Sequence, residues 1–197
     1  METPTLQRAE TAADTGTLWT IDPVHSTIGF SIKHMVVATV HGRFGGFRGT
    51  IRFDDDRPQD ASVEVEIDAG TIDTGITNRD EHLRSADFFD VAAYPTIAFR
   101  STRVEPVSPL RRDGWLVVGD LTMSGVTRSV ELAVEQTGGG TNPWGDEVAG
   151  FAATAKISRK DFGIGCSLLF ERGELVIGDA VKIAIDVQAL RGPTGGR

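Results

Sequence analysis

The chain has 197 residues, 40% hydrophobic and 24% charged, a length that fits one domain whose core can stand without disulfides or metal. Its net charge of −8 at pH 7 repels phosphate backbones and anionic membrane surfaces, which argues against nucleic acid as a partner. Cys166 is the single cysteine, so no intrachain disulfide forms, and no apolar run approaches the ~20 residues of a membrane-spanning helix.

Residues 1–17 are polar and aperiodic and read as a disordered arm. They lack a basic stretch followed by an apolar one, so no signal peptide is expected, and the predicted location is cytoplasmic without stable membrane insertion. One domain is predicted over 18–190, followed by a flexible tail at 191–197. Within the domain the dominant signal is alternation at period two. Ile28, Phe30 and Ile32 oppose Thr27, Ser31 and Lys33; Phe47, Ile51 and Phe53 oppose Arg48, Thr50 and Arg52. Val63, Val65 and Ile67 alternate with Glu64, Glu66 and Asp68. Further apolar sets are Ile97 and Phe99; Trp115, Val117 and Leu121; Val130, Leu132 and Val134. Phe151, Ala153, Ala155 and Ile157 come next, and Val181, Ile183, Ile185 and Val187 close the series. Asp113-Gly114 reads as a hairpin turn, and Gly138-Gly139-Gly140 with Asn142-Pro143 as a loop. Two segments break the alternation. Asn78 to Asp90 suggests one or two short helices, and Ser158 to Phe170 is turn-rich and then apolar. Both suit flaps over an open barrel end.

One wet and one dry face per strand implies an antiparallel all-β fold. Roughly eight such strands can close into a barrel, although a two-sheet sandwich would show the same pattern. The dry face carries small residues at Gly49, Ser101, Gly119, Ala153 and Ala155 among large ones, which leaves volume to be filled. Either the flaps plug it or a long apolar ligand does. The expected wall is Phe30, Ile32, Phe47, Ile51, Val65, Ile97, Phe99, Trp115, Val117, Ala153, Ala155 and Ile183. Ten phenylalanines against one tyrosine suit an apolar wall with no hydroxyl to satisfy.

Polar candidates are few. His34 reaches the dry face at a strand end, either as a satisfied core histidine or as a group that fixes a ligand head. Arg79, Asp80 and His82 could bind a head group at the mouth or lock the flap by hydrogen bonds. Asp22 and His25 bracket Pro23, a setting for an acid–base pair or for an Asx turn in which Asp22 accepts backbone hydrogen bonds. His25 and His34 fall at opposite strand ends, so no metal site is expected. Nucleophile-elbow, phosphate-loop and CxxC motifs are absent, and Cys166 reads as inert. No catalytic residues are expected.

Specific residues also carry a family resemblance. They are Trp19-Thr20-Ile21-Asp22 with Pro23-Val24-His25-Ser26, Gly42-Arg43-Phe44, and Asn78-Arg79-Asp80 with His82-Leu83. Ser85-Ala86-Asp87-Phe88-Phe89, Tyr94-Pro95-Thr96-Ile97-Ala98-Phe99, Gly119 to Thr127 and Arg159 to Gly165 continue it. Over roughly 18–190 the chain resembles the YceI-like family, the polyisoprenoid-binding, lipocalin-like proteins of bacteria. The resemblance implies an extended eight-stranded antiparallel barrel with short flap helices and an apolar tunnel. It also implies an isoprenoid lipid or quinone as ligand, no other cofactor, and a homodimer. Many family members carry a secretion signal that this sequence lacks. The expected function is to carry or store that ligand without catalysis. The rivals are an enzyme acting on a prenyl-type substrate and a filled-core barrel for protein interaction.

Overall fold

Alternating apolar and polar residues demand a sheet with one face in water and one out of it, and the chain meets that demand by closing the sheet on itself. The computed structural model describes residues 16–34, 37–54, 56–108, 111–165 and 177–192. In chain order it forms β1 (Thr17–Ile21), β2 (Thr27–His34), β3 (Ala38–Phe44), β4 (Phe47–Phe53), β5 (Ser62–Asp68) and the short β6 (Ile72–Asp73). Helix α1 (Thr77–Arg84) follows, then β7 (Thr96–Ser108), β8 (Arg111–Met123), β9 (Val126–Thr141), β10 (Glu147–Ser158) and β11 (Ile177–Arg191). The order β1-β4-β5-β7-β8-β9-β10-β11 closes through a β1–β11 pairing, which makes an eight-stranded antiparallel barrel of lipocalin-like type. Closure decides between barrel and sandwich.

Two pairs of strands are single strands bent in the middle. β1 and β2 both pair with β11, at Trp19–Ile21 and Thr27–His34 respectively. The break at Pro23 is stapled to β11, where Asp22 N–H donates to the Gln188 carbonyl at 2.9 Å and Gln188 N–H donates to Ser26 Oγ at 3.0 Å. β3 and β4 break at Gly45-Gly46, where the Thr71 side chain packs so close that a Cβ on Gly46 would lie 2.9 Å from its Cγ2. Beyond these bends β2 and β3 extend the wall upward past the closed ring. The gap beside β3 is filled by β6 and α1. With eight residues and no side-chain N-cap, α1 is too short to stand alone. It is tied down by Arg84, which donates to the Gly70 and Ile72 carbonyls at 2.7 Å each.

Outward-facing charges pair across strands. Arg48 sits opposite Glu66 and Arg100 opposite Glu64, each as an ion pair. Exposed pairs of this kind add little stability, roughly 0–1 kcal/mol each. The weight falls on the interior.

Three expectations change. Asp113-Gly114 is no turn: both lie inside β8, and Ser108 already pairs with Arg111 across the hairpin. Gly138 to Gly140 belong to β9, paired with Gly150, Ala149 and Val148, and the reversal falls at Asn142–Asp146. β1 begins at Thr17, one residue inside the expected arm, and β11 still includes Arg191. Cys166, Pro109 and most of both termini lie outside the described residues.

Candidate functional site

The barrel interior holds a cavity of about 540 Å³, a size typical of a small-molecule site. Its wall is almost wholly apolar. Phe30, Ile32, Phe47, Ile51, Val65, Ile97, Phe99, Trp115, Val117, Ala153 and Ile183 all line it, and so does His34. Ala155 does not: it occupies the expected strand face but is not part of the cavity wall. Eight of the ten phenylalanines line the space, so the bias toward Phe over Tyr is concentrated here.

The glycines do not create the cavity. A Cβ on Gly119 would sit 2.5 Å from Phe99 Cζ, because that ring already occupies the place of the absent side chain. Gly42 is covered by the Phe30 ring in the same way, and Gly49 by Ile21 and Val65. These glycines are sockets for neighbouring side chains.

The two ends differ. At the lower end Phe53 stands edge-on to Trp115 at 5.6 Å and to Phe151 at 5.9 Å, with Pro58 beside them in the lining. The opposite end gathers the polar lining residues: His34, Thr74, Arg79, His82 and Arg159. They connect through shared neighbours. His34 pairs with Ile177, whose carbonyl accepts from Arg159 Nη2 at 3.4 Å. A Cβ on Gly165 would lie against Arg159 Nη1 and 3.5 Å from Phe88 Cε1, and the Phe88 ring packs edge-on to His82 at 4.9 Å. Thr74 reaches back toward Gly42 and Phe30, which closes the circuit.

The Arg79, Asp80 and His82 trio divides. Asp80 is buried and does not line the cavity; its Oδ1 accepts from Thr74 N–H at 2.9 Å and from the Thr74 hydroxyl, which locks the flap. Arg79 does both jobs, lining the cavity while donating to Thr74 Oγ1 at 2.7 Å and to its carbonyl at 2.8 Å. His82 lines the cavity and lies 3.1 Å from Asp87 Oδ2.

Asp22 and His25 lie away from the cavity lining. Asp22 Oδ1 accepts from Val24 N–H at 2.9 Å, an Asx turn, while His25 Nδ1 lies 2.6 Å from Oδ2. The hydrogen bond from His25, then that from Val24, holds the Asp22 carboxyl below its ordinary value. Among the described residues no group of three or more His, Cys, Asp or Glu side chains is placed to hold a metal, and no helix is long and apolar enough to cross a membrane.

Two polar lining residues escaped the sequence reading. Arg159 was legible, since it continues the parity of Ala153, Ala155 and Ile157 onto the dry face. Thr74 carries no such signal, because it follows a two-residue strand.

A closed antiparallel barrel around an apolar cavity, polar at one end, defines a lipocalin-like fold. The YceI-like domain profile matches residues 19–189, and the chain belongs to the YceI-like family. Protein YceI of Escherichia coli O6:H1 is 42% identical over 146 residues, 73% of this chain and 73% of its own length. BcnA of Burkholderia cenocepacia shares the fold at a TM-score of 0.75 and 22% identity, covering 85% of this chain and 98% of its own. So does a polyisoprenoid binding domain from Saccharophagus degradans, at a TM-score of 0.63 and 17% identity over 88% and 98%.

Proposed function

We propose that the barrel holds one long apolar ligand of the polyisoprenoid type, a prenyl lipid or quinone, and carries or stores it without transforming it. The observation that carries this reading is the cavity of about 540 Å³ with its almost unbroken apolar wall. Burial is worth about 0.8 kcal/mol per CH₂, so each five-carbon isoprene unit contributes about 4 kcal/mol before the costs of ordering it. The wall residues named from the sequence are the proposed contacts, with His34, Arg79 and His82 beside the ligand head. The Saccharophagus degradans domain of the same fold is described as polyisoprenoid-binding, which supports the ligand class. No carboxylate lines the cavity among the described residues, which weighs against an acid-catalysed reaction at its centre.

Native mass spectrometry of the purified protein, followed by organic extraction, tests this. The expected result is a stoichiometric adduct whose homologues differ by one isoprene unit. An empty protein that also refuses added quinones and prenyl phosphates would move the function to protein interaction, and turnover of a prenyl substrate would make it an enzyme.

A further inference from the structure

The ladder between β9 and β10 stops short. It runs from Glu147 opposite Thr141 to Thr154 opposite Ala133 and ends there, although β9 begins at Val126 and β10 continues to Ser158. Beyond that point β9 pairs only with β8, and β10 only with β11. The barrel wall therefore has a seam. A cleft of about 400 Å³ lies along it, and its lining includes the exposed Arg128, Glu131, Lys156 and Asp161. Val130 and Ile157 line both this cleft and the interior cavity, so the partition between them is a single layer of side chains. Phe162, 2% exposed, lines the cleft beside them.

The seam is fastened from one side. Ser158 Oγ donates to both Asp179 carboxylate oxygens at 3.0 and 2.9 Å, and Lys160 N–H donates to Asp179 Oδ1 at 3.3 Å. Arg159 Nε donates to the Gly178 carbonyl at 2.9 Å. All these anchors lie on β11. Among the described residues no hydrogen bond or ion pair joins 126–132 of β9 to 155–162. The flap α1 is held differently, by the charged side chains of Arg79, Asp80 and Arg84. Lifting the flap breaks charge-assisted hydrogen bonds, whereas parting the seam breaks only apolar contacts.

We propose that the β9–β10 seam is a lateral portal, in which β9 swings away from the 3-10 turn Arg159–Phe162 and the apolar chain of the ligand passes sideways through the wall. This rests on the binding role proposed above and adds the route of exchange. Val130, Ile157 and Phe162 are aliphatic or aromatic, so a prenyl chain in passage replaces their mutual contacts with its own. No ladder hydrogen bond is lost in the opening, because none is made there. The paired stretch from Ala133 and Thr154 onward keeps the two strands joined while the seam is open.

The test bridges the seam. In the full-length protein carrying Cys166→Ser, Glu131→Cys and Lys156→Cys place one thiol on each side of the cleft. A short bis-methanethiosulfonate joins them until reductant removes it. Exchange of bound geranylgeraniol for its deuterated form is then followed by native mass spectrometry. The bridge is expected to lengthen the exchange half-time by about tenfold or more, with equilibrium affinity changed by less than about twofold, and reductant should restore the rate. Glu135→Cys with Ala152→Cys bridges the same two strands where their ladder is intact, and should leave exchange unchanged. Phe162→Ala thins the partition without any bridge and should shorten the half-time by about tenfold. Exchange as fast with the seam bridged as with it free would overturn the proposal while leaving a barrel that binds isoprenoids. So would an equal slowing by the control bridge, or a Phe162→Ala protein that exchanges at the original rate. Failure of the unbridged protein to take up geranylgeraniol would sink the binding role itself and the proposal with it.

Discussion

Filling the cavity from the middle is the most direct perturbation of the proposed binding role. Ala153 lines the cavity at mid-barrel, opposite Val134 on β9 and Ile185 on β10's other neighbour, β11. Ala153→Phe adds six ring carbons, slightly more than one isoprene unit. The ring enters space that is already open, so the overpacking penalty of about 1–3 kcal/mol expected in a filled core is largely avoided. If the ring displaces five ligand carbons at about 0.8 kcal/mol each, binding weakens by about 4 kcal/mol, close to a thousandfold in Kd. Sliding of the chain toward the mouth would reduce that loss, so the figure is an upper bound. Titration with geranylgeraniol measures the affinity, and a thermal melt checks the fold. Thr154→Phe, which adds similar bulk to the exposed outer face, should leave binding unchanged. An Ala153→Phe protein that melts like the wild type and binds as tightly would refute the placement of the ligand between β9, β10 and β11.

Gly119→Ala places a Cβ 2.5 Å from Phe99 Cζ and 2.6 Å from the Arg100 carbonyl oxygen, where the backbone cannot yield easily. It should cost about 1–3 kcal/mol and lower Tm by roughly 2–12 °C; an unchanged Tm would mean the Phe99 ring does not need that socket. The Asp22 carboxyl is held below its ordinary value of 3.8 mainly by the His25 hydrogen bond. Its stabilisation is therefore complete above about pH 4 and is lost as pH falls through the lower folded value. Asp22→Asn should melt below the wild type near neutral pH, with a gap that narrows in acid; a gap constant across the titration would argue against the linkage.

The strands were legible because each has one wet and one dry face, so a polar residue at the wrong parity would be a buried penalty. Ile28-Phe30-Ile32 and Val63-Val65-Ile67 carry that constraint without help from their neighbours. Turn chemistry was less reliable. Asp113-Gly114 is a good hairpin pair in isolation, yet pairing of Trp115 with Val134 and Pro106 keeps it inside β8. Gly138 to Gly140 lack side chains to reveal a face, and the ladder to β10 decides their state. The void volume expected at Gly119 is absent for a related reason. Alternation places residues on a face but does not say which neighbour's ring leans across them. The polar end was half legible: the parity of Arg159 exposes it, whereas the inward turn of Thr74 and the retreat of Asp80 are set by the β6–α1 connection.

What keeps the interior open is the distribution of side-chain length along the barrel axis. An eight-stranded barrel is just wide enough for its side chains to meet in the middle or to leave room for a ligand. Here the middle is lined by Val117, Leu132, Ala153 and Ile185, which are too short to span it, while the rings gather toward the ends. Phe53, Trp115 and Phe151 close the floor against each other, and Phe30, Phe44 and Phe89 stack higher in the wall. A floor of aromatic edges offers one hydrogen-bond donor at most, the Trp115 indole N–H, so a polar head placed there would lose its hydration with little compensation. The arginine and histidine groups stand only at the other end. On the proposed binding role, this asymmetry favours one orientation of an amphiphile, tail to the aromatic floor and head to the end that holds the polar lining residues.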